Sequence, residues 1–159
     1  MDLRLAGRRA LVTGSSAGLG EAIAKCLAAE GAVVVVHGRN IGRTNAVTQA
    51  IDAAGGRAEI AIGDLSTDGG ADIVTSAAQA GGGIDILVNN AGAYHHLTWM
   101  EATPDRWVDT YQLNVPNDVG RLGRPEEVAA AVAYLVSCHA DYVSGTVRRV
   151  DGGAIRSVN

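Results

Sequence analysis

Three glycines occur in Thr13-Gly14-Ser15-Ser16-Ala17-Gly18-Leu19-Gly20, which follows the short apolar run Ala10-Leu11-Val12. The residues after this run have helical periodicity. Apolar side chains fall at i, i+3, i+4, i+7 and i+8, the spacing of a helix with one buried face; they are Leu19, Ala22, Ile23, Cys26 and Leu27. The glycines are therefore predicted to lie where a strand turns sharply into a helix.

A helix N-terminus presents unpaired backbone N–H groups and the positive end of the helix dipole, which together suit a pyrophosphate. Gly14 is expected to permit the tight turn, Gly18 to let the backbone approach phosphate, and Gly20 to let helix and strand pack closely. The alternative is a strand-to-helix turn without a ligand. It stays open at this point because the spacing is G-x-x-x-G-x-G rather than the usual G-x-G-x-x-G.

Strand and helix patterns alternate along the chain. Apolar runs predict four strands, at Arg9–Thr13, Ala32–Val36, Arg57–Ile62 and Ile84–Val88. Helices are predicted between them, to about Glu30, from the cap Asn40 to about Ala54, and from about Ser66 to Ala80. This alternation is typical of a parallel sheet with helices on both faces.

The C-terminal part continues with a helix from Thr103 to Asn114 and another that begins at Pro125. The apolar stripe of the second helix comprises Val128, Ala131, Val132, Leu135 and Val136. Tyr142–Val150 is predicted as a final strand. We find no repeat or linker, so residues 1–159 are expected to form one domain.

Composition excludes several classes of protein. The chain of 159 residues has a net charge of −4, which argues against a nucleic-acid partner. No apolar run is long enough to span a bilayer, and we find no cluster of metal-ligating residues. Two cysteines, Cys26 and Cys138, indicate reduced thiols, so we expect a cytoplasmic protein.

Several motifs follow one another in a recognisable order. They are the glycine segment, Asp64 after the third strand, Asn89-Asn90-Ala91-Gly92 after the fourth, Asn114, and the tail segments 123–128, 142–146 and 151–153. Together they resemble the short-chain dehydrogenase/reductase family over nearly the whole chain. The sequence is most similar to the branch of 3-oxoacyl-carrier-protein reductases and related sugar dehydrogenases. The resemblance implies a Rossmann-like, doubly wound α/β fold, shortened to strands 1–4 plus a C-terminal helix and strand.

The resemblance also implies roles for single residues. The pyrophosphate would be lined by Gly14, Ser16, Gly18, Leu19 and Gly20. Asp64 and Leu65 would lie at the adenine edge, and Asn89, Ala91 and Gly92 along the ribose and nicotinamide. Asn114 would be the one catalytic residue present. Two alternatives remain open: Asp64 could cap the following helix, and Asn89 could hold neighbouring strands by hydrogen bonds.

The end of the second strand bears on the choice of cofactor. An NAD site usually has a carboxylate there for the ribose hydroxyls. This chain has His37-Gly38-Arg39-Asn40 instead. The Arg39 guanidinium suits a 2′-phosphate, so NADP(H) is favoured over NAD(H). The alternative is a surface arginine at the start of a helix.

Most of the family's catalytic groups have no counterpart here. The family uses a Tyr-x-x-x-Lys pair, in which the lysine lowers the tyrosine pKa, together with an upstream serine. The single lysine, Lys25, belongs to the first helix, and none of the four tyrosines has a lysine four residues later. Within ten residues of Asn114 the family's tail motif begins. Residues 115–118 therefore resemble a deletion junction, left by a shortened gene product, an engineered deletion, or a sequence that omits a segment.

Three functional hypotheses follow. By ancestry the chain is an NADP(H)-dependent oxidoreductase that transfers hydride between a dinucleotide and a small carbonyl or alcohol substrate. It could instead be an inactive dinucleotide-binding pseudoenzyme or the oligomerisation partner of an intact relative, or a remnant without function. The loss of strands and helices would expose a sheet edge, so we expect a homo-oligomer.

Overall fold

A computed structural model describes residues 2–92, 123–141 and 143–144 of the chain. Strands and helices alternate in the order β1 (Arg9–Val12), α1 (Gly18–Ala29), β2 (Val33–Gly38), α2 (Ile41–Ala53), β3 (Arg57–Ile62), α3 (Asp68–Ala80) and β4 (Ile86–Val88). Helix α4 (Pro125–Leu135) and a short 3-10 helix (Cys138–Ala140) follow later in the chain. The alternation predicted from the sequence is confirmed.

The four strands form one parallel sheet in the order β3-β2-β1-β4. Strand β1 is central, and Leu11 is in register with Val35 on one side and with Leu87 on the other. Chain order reverses at β1, because β2 and β3 extend the sheet one way and β4 the other. This is the topology of a Rossmann-like α/β fold, as the sequence predicted.

The strands bury apolar side chains on both faces, as expected of a parallel sheet. On one face, Val12 and Val36 pack with residues of α1, α2 and α4 in a single cluster. On the other face, Leu11 and Val35 pack with Val74 of α3 and its neighbours. Because Leu87 is in register with Leu11, it belongs to the α3 face, where it is 53% exposed.

The buried faces of two helices differ from the predicted stripes. In α1 the fully buried residues are Gly20, Ile23, Ala24, Leu27 and Ala28, whereas Leu19 is 38% exposed. In α4 the buried residues are Ala129 and Ala133, whereas Leu135 is exposed. The reason is that α1 is covered by the sheet and by α4, and small alanines let these two helices approach closely.

The ends of the first two helices agree with their sequence signals. Gly31 adopts φ +91° after α1, as a helix-terminating glycine does. The Asn40 side chain accepts a hydrogen bond from the Arg43 N–H and so caps α2. Strand β2 extends to Gly38, two residues beyond the predicted end at Val36, so His37 belongs to the strand. The predicted Thr103–Asn114 helix and Tyr142–Val150 strand lie outside the described residues.

Candidate functional site

The loop between β1 and α1 lies at the carboxyl end of the sheet, between the ends of β2 and β4. Open α/β folds bind ligands in the crevice at this position, where strand order reverses. Parallel strands bring their carboxyl ends to the same edge of the sheet. The sequence segments that follow β1, β2, β3 and β4 therefore meet here.

The three loop glycines meet different demands. Gly14 has φ +66°, and a side chain there would lie 2.8 Å from the Ala91 Cα. Gly20 has ordinary φ, but a Cβ would lie 2.5 Å from the Gly14 carbonyl oxygen and would also contact the Asn90 side chain. Gly18 has φ +60° and faces open space, with no atom within 4 Å of a Cβ position. The tight turn at Gly14 and the close packing at Gly20 are as the sequence predicted, and the approach of a phosphate to Gly18 stays a prediction.

His37 connects the loop to two strands. Its backbone N–H donates to Ser15 Oγ at 2.9 Å, and its carbonyl accepts from the Ser15 N–H at 2.8 Å. Its ring Nδ1 accepts from the Gly14 N–H at 2.9 Å, while Nε2 lies 3.1 Å from the Gly63 carbonyl oxygen beyond β3. The side chain is buried. One residue therefore holds the first turn of the loop and the end of β3.

Thr13 and Asn90 connect the loop to β4 on the opposite side. The Asn90 amide Nδ2 donates to the carbonyl oxygens of Thr13 at 2.9 Å and Gly14 at 3.1 Å. Thr13 Oγ1 accepts from the N–H groups of Asn90 and Ala91 and donates to the Val88 carbonyl. The glycine loop is thereby fixed on both flanks. The strand-connecting asparagine is Asn90, whereas the sequence suggested Asn89 as the alternative for this role.

Arg39 and Asp64 lie together at the outer end of the site. Arg39 Nη1 is 3.6 Å from Asp64 Oδ2, and the Arg39 side chain is 74% exposed. Asp64 Oδ1 also accepts from the N–H and hydroxyl of Ser66, at 3.0 and 2.7 Å. These two hydrogen bonds, followed by the Arg39 charge, hold the pKa of Asp64 below its ordinary value. Asp64 therefore holds the turn before α3, but it does not cap that helix: the N-cap is Thr67, whose side chain accepts from the Gly70 N–H.

The structure gathers most residues predicted for the site at one edge of the sheet. Gly14, Ser16, Gly18, Leu19 and Gly20 belong to the loop and the start of α1, Asn89, Ala91 and Gly92 follow β4, and Leu65 follows Asp64. Asn114, the single catalytic residue predicted, lies outside the described residues. No local pattern in the sequence identified His37, Thr13 or Asn90 as loop supports, because their partners are 22 or more residues away.

Other classes of site receive no support from the described part of the chain. Within it, no group of three His, Cys, Asp or Glu side chains could hold a metal ion. A search of the same residues finds no helix long and apolar enough to cross a membrane. Cys26 and Cys138 are free thiols, and burial raises the pKa of Cys26.

Two family models match the chain and meet near the suspected junction. A short chain dehydrogenase model matches residues 8–117, and an enoyl-(acyl carrier protein) reductase model matches residues 116–154. The boundary between them coincides with residues 115–118, where the sequence passes directly from the Asn114 segment to the tail motifs.

Curated relatives are longer than this chain. An uncharacterised oxidoreductase of Methylorubrum extorquens is 41% identical over 70% of this chain and 46% of its own length. The 3-oxoacyl-[acyl-carrier-protein] reductase of Chlamydia pneumoniae is 36% identical over 72% of this chain and 47% of its own. The chain thus spans about half the length of the curated relatives it matches.

Solved structures share the fold. The L-sorbose reductase of Gluconobacter frateurii, complexed with NADPH and L-sorbose, aligns with a TM-score of 0.84 at 22% identity over 99% of this chain and 100% of its own. A 3-oxoacyl (acyl-carrier-protein) reductase of Agrobacterium tumefaciens with NADP bound is 36% identical, with a TM-score of 0.56 over 87% of this chain and 49% of its own. The match of the short chain dehydrogenase model over residues 8–117 establishes that the chain belongs to the short-chain dehydrogenase/reductase family.

Proposed function

We propose that these 159 residues form a single domain that binds NADP(H) at the glycine loop. The pyrophosphate lies over Gly14, Ser16, Gly18, Leu19 and Gly20, where the N–H groups at the start of α1 have no partner within the helix. Asp64 and Leu65 flank the adenine, and Asn89, Ala91 and Gly92 follow the ribose towards the nicotinamide. The chain's descent from oxidoreductases makes a dinucleotide the natural ligand of this loop.

The open space at Gly18 carries the proposal. Gly14 and Gly20 are each explained by packing inside the protein, since a side chain at either position would strike neighbouring atoms. Gly18 has no such neighbour and still adopts φ +60° at the first residue of α1. A backbone without a side chain that faces open space at a helix N-terminus allows a phosphate to approach closely.

The preference for NADP(H) over NAD(H) rests on Arg39. Strand β2 ends in His37 and Gly38, and neither residue carries a carboxylate for the ribose hydroxyls; the carboxylate beside Arg39 belongs to Asp64, which follows β3 and also accepts from Ser66. The exposed Arg39 guanidinium follows directly, and a 2′-phosphate would bind it by charge-assisted hydrogen bonds. The Agrobacterium reductase, at 36% identity, carries NADP, which supports the same choice.

Hydride transfer is a separate matter from binding. When bound, the dinucleotide would supply hydride to a carbonyl or accept it from an alcohol. The family's Tyr-x-x-x-Lys pair is absent from the 159 residues, so no side chain in that arrangement moves the substrate proton. We therefore propose that the chain by itself binds the cofactor without turnover, and that Asn114 alone does not sustain catalysis.

Self-association is a further part of the proposal. Strand β4 is at one edge of the described sheet, and Leu87 on that strand is 53% exposed. An apolar side chain on an edge strand favours contact with a second copy of the chain. Sedimentation velocity tests this: a dimer or larger species is expected at micromolar concentration, and a monomer up to 100 μM would contradict it.

Thermal unfolding and turnover assays together test binding without catalysis. NADPH at a hundredfold excess over its Kd should add about 2.7 kcal/mol to the free energy of unfolding and raise Tm. NADPH oxidation with small ketones and aldehydes should stay at the buffer rate. No rise in Tm with either NADPH or NADH would refute the binding proposal, whereas enzyme-dependent oxidation would refute only the claim of inactivity.

A further inference from the structure

The buried His37 ring has a fixed tautomer because of its two neighbours. The Gly14 backbone N–H can only donate, so ring Nδ1 must accept and carries no proton. The Gly63 carbonyl oxygen can only accept, so ring Nε2 must carry the proton and donate. Both requirements are met by one neutral form of the ring, protonated at Nε2.

These bonds also determine which N–H groups of the glycine loop are free. The Gly14 N–H is used by the His37 ring, and the Ser15 N–H by the His37 carbonyl. The Ser15 hydroxyl is occupied as well, since it accepts from the His37 N–H and donates to the Val12 carbonyl. The first turn of the loop is thus held internally, and the donors left for an anion are those at the start of α1.

We infer that His37 is a positioning residue for the dinucleotide site, acting through its Nδ1 acceptor on Gly14. Losing that bond would free the Gly14 N–H and loosen the turn at φ +66° that aims the following residues at the phosphate. The inference rests on the proposed NADP(H) site. The hydrogen bond from the His37 ring to Gly63 has a different consequence. It joins β2 to the end of β3, so it stabilises the fold but does not hold the glycine loop.

Two substitutions separate the ring bonds. In His37→Asn, the amide oxygen occupies the position of Nδ1 and keeps an acceptor for Gly14, but the bond to Gly63 is lost. In His37→Gln, the amide nitrogen reaches the position of Nε2 and keeps a donor for Gly63, but the bond to Gly14 is lost. We expect the NADPH Kd of His37→Asn to stay within about threefold of the wild type and that of His37→Gln to rise about tenfold. Both are measured at a temperature where each variant is fully folded.

The ring itself provides a readout that needs no variant to fold. Long-range ¹H–¹⁵N spectra of the ¹⁵N-labelled full chain should show one histidine with unprotonated Nδ1 and protonated Nε2, and this signal should be missing in His37→Asn. Protonated Nδ1 would overturn the inference directly. Equal NADPH affinities in the two variants would overturn the positioning role alone, because the wild type would still bind. Absence of NADPH binding by the wild type would instead remove the proposed function and the positioning role with it.

Discussion

Arg39 and Asp64 form an ion pair that joins the ends of β2 and β3, with Arg39 Nη1 3.6 Å from Asp64 Oδ2. The sequence assigned the two residues to separate parts of the cofactor, Arg39 to the 2′-phosphate and Asp64 to the adenine. Their pairing couples these roles. A 2′-phosphate that binds Arg39 must compete with the carboxylate already beside it, so both residues should influence selectivity between the two dinucleotides.

Replacing Arg39 with alanine should weaken NADPH binding about 10- to 100-fold, the range expected from losing a hydrogen bond to a charged group. The NADH affinity should change by less than threefold, because NADH has no 2′-phosphate. Titration calorimetry with both dinucleotides measures the effect. Arg57→Ala, at the amino end of β3, is the matched control and should change neither affinity. An equal loss of affinity for NADPH and NADH would show that Arg39 does not bind the 2′-phosphate.

Replacing Asp64 with asparagine should have the opposite effect on selectivity. The amide oxygen can still accept from Ser66, but the charge that competes for Arg39 is gone, so NADPH should bind a few-fold more tightly relative to NADH. A weaker preference for NADPH over NADH in Asp64→Asn would contradict the proposed competition between Asp64 and the 2′-phosphate for Arg39.

The same variant should alter the pH dependence of stability. Because the Ser66 hydrogen bonds and Arg39 lower the pKa of folded Asp64, its charge stabilises the protein above the ordinary aspartate pKa. That contribution is lost as pH falls through the lowered value. The difference in Tm between wild type and Asp64→Asn should therefore be largest near neutral pH and should shrink as the pH falls below the ordinary aspartate pKa of about 3.9. If the Tm difference instead grew as the pH fell, the Asp64 charge would not stabilise the folded protein as stated here.

Gly20→Ala and Gly69→Ala form a matched pair of glycine substitutions. A Cβ at Gly20 would strike the Gly14 carbonyl and Asn90, so we expect a loss of about 1–3 kcal/mol together with weakened NADPH binding. A Cβ at Gly69, in the first turn of α3, meets nothing within 4 Å, and φ there is not positive. That change should add about 0.4–1 kcal/mol by reducing the freedom of the unfolded chain. Urea unfolding measures both, and equal effects would contradict the packing explanation for Gly20.

Asn89 and Asn90 should respond differently to alanine. Asn90→Ala leaves the carbonyls of Thr13 and Gly14 without their shared donor and should cost about 1–3 kcal/mol of stability. Asn89→Ala should leave Tm within about 1 °C and weaken NADPH binding, because the side chain is exposed at the proposed ribose side. If Asn89→Ala lowered Tm as much as Asn90→Ala, Asn89 would be a structural residue instead.

Local patterns predicted the elements well where their ends carry distinct signals. Strand β3 has the predicted bounds, since Gly55-Gly56 precede it and Gly63 follows it. The buried face of α1 differs from the predicted stripe because α1 also packs against α4. That helix is about 100 residues away in sequence, so no pattern within α1 indicates the contact. The same limit applies to the site. The apolar run of β2 ends visibly at Val36, but nothing near His37 indicates that its ring accepts from Gly14 across the sheet.

The central claim is that the cofactor half of a dehydrogenase site is present in this chain. Isothermal titration calorimetry of the chain with NADPH and with NADH, at one temperature and ionic strength, tests it. We predict saturable binding of one NADPH per chain, at least tenfold tighter than NADH. Absence of binding by both dinucleotides would contradict the site at the glycine loop, and NADH binding as tight as NADPH would contradict the role of Arg39.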